Sequence, residues 1–77
     1  MFFRIYPLDA GGHYLVPEAL ECESDEAAVE AGLRLGDRAN GGFDVWQLGR
    51  FVGRYRRGET GAAIRIEVDF TPPAASA

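Results

Sequence analysis

A single cysteine, Cys22, excludes an internal disulfide, and so sparing a use of cysteine suits a reducing compartment, which makes the cytoplasm the expected location. No run approaches the ~18 apolar residues of a membrane span, and MFFRIYPLDAGG lacks the basic start, long apolar stretch and cleavage site of a secretory signal. One histidine, His13, and no spaced set of histidines and carboxylates give a structural metal nothing to bind, so no metal and no cofactor are expected. Lysine is missing altogether. The eight basic residues are all arginine, against twelve acids, for a net charge of -4 and a pI near 4.8.

With disulfide and metal set aside, 77 residues make one small domain that buries roughly 60% of its unfolded surface. A core of that size rarely supplies more than about 3 to 5 kcal/mol, which leaves oligomerisation as the expected further support. The expected organisation is one α+β domain over residues 1–70 and a flexible tail, TPPAASA, over 71–77.

FFRIYPL, Phe2 to Leu8, is aromatic and β-branched, and the following DAGG supplies turn chemistry with glycine for positive φ, which predicts strand, turn, strand. The return strand, HYLVPEALEC, contains Pro17, which cannot donate to a ladder, so this strand belongs at an edge or carries a bulge there. In ESDEAAVEAGLRLGD the period changes. Ser24 or Asp25 caps a helix, Asp25 and Glu26 suit its positive end, and Glu26, Glu30 and Arg34 form a polar stripe opposite a broad arc of small and apolar residues. So many alanines and glycines predict a helix lying close against a sheet.

FDVWQL and FVGRYRR flank Gly49-Arg50, the length of a tight hairpin loop with glycine where a type II′ turn wants it. That loop pairs Leu48 with Phe51, Trp46 with Gly53 and Asp44 with Tyr55. It sends Trp46, Leu48, Phe51, Gly53 and Tyr55 toward the helix and Phe43, Val45, Gln47, Val52, Arg54 and Arg56 to the other side; a slip of one residue exchanges the two faces. IRIEVDF, Ile64 to Phe70, alternates cleanly and predicts a fifth strand. The order ββαβββ implies an antiparallel sheet of four to five strands with one helix packed on one face, an α+β domain whose second face stays in water unless something covers it.

The chain offers little to catalysis, and no enzymatic activity is expected. His13 and Cys22 lie about 30 Å apart if their segment is fully extended, His13 reads as a polar residue beside a turn, and Cys22 as a small apolar filler. The acids Glu18, Glu21, Glu23, Asp25, Glu26 and Glu30 are contiguous around a helix start, where solvation and dipole compensation account for them. Gly11-Gly12 and Gly41-Gly42 lack the surroundings of a phosphate cradle. The one candidate is LGRFVGRYRR, four arginines in ten residues, read first as a solvated strand or one paired with the acidic run. A protein contact through Phe43, Val45, Val52, Arg54 and Arg56 comes next, with a homodimer as the expected assembly. Nucleic-acid binding through Arg50, Arg54, Arg56 and Arg57 with Trp46 or Phe43 stands behind it, because the acidic balance repels phosphate. No membrane partner is expected.

RIYPLDAGGHYL, ECESDEAAVEAG and DVWQLGRFVGRY, taken in order, resemble a class of short bacterial proteins frequent in alphaproteobacteria, with a hairpin, an acidic-capped alanine-rich helix and an aliphatic-Trp strand turning into an arginine-bearing one. The resemblance covers residues 3–56. It implies a small cytoplasmic ββαββ domain and carries over no functional residues; IRIEVDF extends beyond its pattern.

Overall fold

In the computed structural model, which describes residues 1–36 and 41–68, the chain runs β1 (Phe2–Pro7), β2 (Glu18–Glu21), α1 (Asp25–Gly36), β3 (Phe43–Gln47), β4 (Arg50–Arg57) and β5 (Ala63–Ile66). All five strands pair antiparallel in the order β2-β1-β3-β4-β5, and the helix packs on one side of the sheet. This is the α+β architecture that the ββαβββ pattern predicts. The tail 71–77 and the last two residues of the expected fifth strand, Asp69 and Phe70, lie outside the described residues.

The first turn behaves as its composition requires. Gly12 takes φ 82°, and the Asp9 carboxylate accepts the backbone N–H groups of Gly11 and His13, each at 2.9 Å. Those bonds, His13's above all, hold the Asp9 carboxyl below its ordinary range. The return segment is not one strand. It touches β1 at a bridge between Leu8 and Tyr14, with the Leu15 N–H donating to the Pro7 carbonyl at 2.8 Å, departs through Val16 and Pro17, and rejoins as β2 only after the proline, at the edge of the sheet. Pro17 thus stands where a missing donor harms no ladder.

Ser24 caps α1, its Oγ accepting the Ala27 N–H at 3.1 Å, with Asp25 and Glu26 in the first turn. Ala28, Ala31 and Gly32 are buried, and Gly32 lies so close to β3 that a Cβ there would stand 2.3 Å from the Phe43 ring. The small-residue face therefore lets the helix settle directly onto the sheet. Phe3, Ile5, Ala28, Phe43, Val45 and Val52 form the core, with Leu20, Cys22, Val29, Leu33, Leu35 and Tyr55 packed against it.

The β3–β4 hairpin departs from the expected register. Its two-residue loop is Leu48-Gly49, with Leu48 at φ 53°, and Gln47 pairs with Arg50. Trp46 faces Phe51, Val45 faces Gly53 and Asp44 faces Arg54, with Val52 bulged out of the ladder between Phe51 and Gly53. The faces are exchanged in β3 and the start of β4, where Phe43, Val45 and Val52 turn inward, at 1%, 0% and 9% exposure, and Trp46 and Phe51 turn to the bare side. Beyond the bulge Gly53 and Tyr55 face the helix and Arg54 and Arg56 the bare side, as the sequence predicts. The reason is Asp44. Side chains two apart on a strand share a face, so sending Trp46 under the helix would take the Asp44 carboxylate with it into an apolar layer.

Candidate functional site

The side of the sheet away from α1 is built by the even-numbered residues of β1 and β3 and their cross-strand partners. Across the middle run Ala19, Arg4, Trp46 and Phe51; the next row holds Tyr6, Asp44, Arg54 and Ile66. At one end Phe2 lies beside Glu21, and near the other Arg56 lies beside Ile64. No helix covers these residues among the described ones.

One polar cluster organises this face. Asp44 is 1% exposed, and Arg54 grips it with two nitrogens, Nε 2.6 Å from Oδ1 and Nη2 3.0 Å from Oδ2. Tyr14 reaches over from the loop before β2 and donates its hydroxyl to Asp44 Oδ2 at 2.6 Å, its ring 4.9 Å from that of Tyr6. Burial raises the Tyr14 hydroxyl above its ordinary pKa, and the Asp44 carboxylate, which accepts its proton, raises it further; Trp46 and Arg54 pull the other way. Trp46 and Phe51 meet edge to face with ring centres 5.1 Å apart. Beside them an open groove of about 750 Å³ runs between Phe2, Arg4, Ala19, Tyr14, Trp46 and Leu48. Phe2 is 64% exposed and Leu48 85%.

Of the five residues expected to form a contact surface, Phe43, Val45 and Val52 belong to the core and can present nothing to a partner. Arg54 and Arg56 do lie on the bare face, Arg54 tied to Asp44 and Arg56 exposed. The other arginines of β4 act within the chain: Arg50 pairs with Asp25 at 2.8 Å, joining the basic strand to the acidic helix entrance, and Arg57 donates to the Leu33 carbonyl in the last turns of α1 at 2.8 Å. The aromatic members, Phe2, Tyr6, Tyr14, Trp46 and Phe51, were readable in part. FFRIYP places aromatic and cationic residues in alternation with Phe3 and Ile5, and Asp44 marks the outward parity of its own strand.

His13 stands in the first turn, largely exposed, with Nδ1 3.3 Å from Asp9 Oδ1, and Cys22 is half-buried against the core. Among the described residues no three histidine, cysteine or acidic side chains gather closely enough to hold a metal, and no helix is long and apolar enough to cross a membrane.

The fold and this face together define a two-layer domain, one helix over a five-stranded antiparallel sheet whose other side is aromatic and open. The chain matches no family model, no curated protein and no solved structure.

Proposed function

We propose that this protein is a non-enzymatic interaction module of the cytoplasm that associates with a second copy of itself through the open face of the sheet. The observation that carries the reading is the groove beside Trp46, where aromatic side chains, one of them 64% exposed, line an uncovered sheet face in a domain with little stability to spare. A second sheet packed there would give each copy the layer that one helix cannot provide. The single tryptophan lines the groove and reports on it. Sedimentation velocity over a micromolar dilution series, read beside Trp46 emission, should show mass rising with concentration and the emission moving to the blue in parallel. A monomer at every concentration with unshifted emission overturns the reading.

A second reading, binding of single-stranded nucleic acid, is favoured by one feature: Tyr6, Trp46 and Phe51 stand among Arg4, Arg54 and Arg56 on one sheet face, as in platforms that stack bases. It ranks lower because Asp44 already neutralises Arg54, and the chain carries a net charge of -4. Anisotropy of a labelled oligonucleotide at ~50 mM salt tests it, and an absence of binding there removes it.

A further inference from the structure

The open face carries a projection and a recess side by side, and their placement constrains how two copies meet. Phe2 and Glu21 are cross-strand partners at the end of β1 and β2, and one step along the same face the partners are Arg4 and Ala19. Phe2 projects with 64% of its surface exposed, while Ala19, with no side chain beyond Cβ, leaves the groove open above β2. Arg4 lies in that groove between Ala19 and Trp46, exposed and without an acidic partner among the described residues; Glu21 is likewise exposed and unpaired among them.

Resting on the self-association reading, we infer that the interface is isologous. Phe2 of each copy enters the other copy's groove beside Ala19, over Arg4 and against Trp46, and Glu21 of each copy, set above the other's Ala19, meets its Arg4. A two-fold contact requires that residue i meet j while j meets i, so a projection and its recess must belong to one patch. Here they are adjacent rows of the same two strands. A two-fold axis crossing β1 between Phe2 and Arg4 lays the Phe2 ring over the opposite guanidinium, a favourable cation–π arrangement. The same operation carries the Phe2–Glu21 row over the Arg4–Ala19 row, within reach of two long side chains. Each copy contributes one cation and one anion, so the two pairs balance.

The test is a charge exchange followed by sedimentation velocity, with circular dichroism to check the fold. Phe2, Arg4 and Glu21 are exposed, so their variants should keep it. Phe2→Ser removes both projections at once and should weaken association at least tenfold. Arg4→Glu and Glu21→Arg should each weaken it on the order of tenfold, since like charges then face each other twice. An equimolar mixture of these two variants should associate about as well as the original chain, because every charge contact across a mixed dimer is again between opposites. An original chain that stays monomeric overturns the self-association reading itself. An original chain that associates, with variants that associate equally well or a mixture that is not restored, leaves that reading standing and overturns this interface.

Discussion

Arg54 and Asp44 form a two-pronged ion pair across neighbouring strands, with the carboxylate buried and the guanidinium still partly in water. The pair fixes the parity of β3: it holds even-numbered residues outward and so commits Phe43 and Val45 to the core.

Removing the cation should therefore do more harm than removing the pair. Arg54→Met leaves a buried carboxylate with Tyr14 as its remaining donor and should lower stability by about 3 kcal/mol in urea unfolding, at the low end for a broken buried pair because Arg54 is partly exposed. In the double variant Asp44→Leu, Arg54→Met most of that loss should return. An Arg54→Met protein as stable as the original would contradict this account. Arg50→Ala, which breaks the solvent-exposed pair with Asp25, should leave the melting temperature nearly unchanged.

Tyr14 makes the fold sensitive to alkali. Its folded pKa lies above the ordinary tyrosine value of 10.0, because burial and the Asp44 carboxylate disfavour the phenolate. The stability it contributes is fully present below pH 10 and is lost as pH rises through the raised folded value, where the phenolate would face Asp44. Tyr14→Phe should lower stability at neutral pH by about 1 kcal/mol, the hydroxyl being only partly shielded. It should also flatten the alkaline limb of the stability curve. An alkaline limb that is unchanged in Tyr14→Phe would show that another group governs it.

The closeness of α1 to the sheet rests on Gly32. Alanine there gains up to about 1 kcal/mol in helix propensity but drives a methyl group into the Phe43 ring, an overpacking that costs about 1 to 3 kcal/mol. Gly32→Ala should therefore melt several degrees lower than the original chain, by thermal unfolding followed with circular dichroism. Gly49→Ala, with nothing within 4 Å of the added carbon, should melt where the original does.

The helix cap should be worth about what an isolated cap is worth. Ser24→Ala removes the acceptor for the Ala27 N–H and should cost about 1 kcal/mol, again by urea unfolding. A change near zero would mean that packing, not the cap, sets where α1 begins.

What was legible in the sequence is what short-range chemistry controls. Ser24 followed by Asp25 and Glu26 marks a helix start because the cap and the two acids satisfy its first turn, DAGG turns because Asp9 can accept backbone donors and Gly12 can take positive φ, and Pro17 must stand outside a ladder. The helix residues Ala28, Ala31 and Gly32 announce close packing by their size alone. The candidate surface was legible only in its arginines, Arg54 and Arg56; its aromatic members were assigned to the wrong side or passed over.

By itself, then, the sequence determined the kinds of element, their order and the face the helix buries. Only the tertiary structure decided which side of β3 and of the start of β4 meets that helix. A strand repeats every two residues, so moving the loop from Gly49-Arg50 to Leu48-Gly49 inverts β3 and the start of β4, at the expense of a small local preference for glycine at positive φ, and the bulge at Val52 returns the rest of β4 to its expected facing. Against that preference stands the penalty of an unpaired Asp44 carboxylate under the helix, while the burial of Phe43 and Val45 takes the place of that of Trp46 and Phe51. Those terms exist only once β1 supplies Phe3 and Ile5 alongside and the loop before β2 brings Tyr14 over the sheet, contacts some 30 to 40 positions away along the chain.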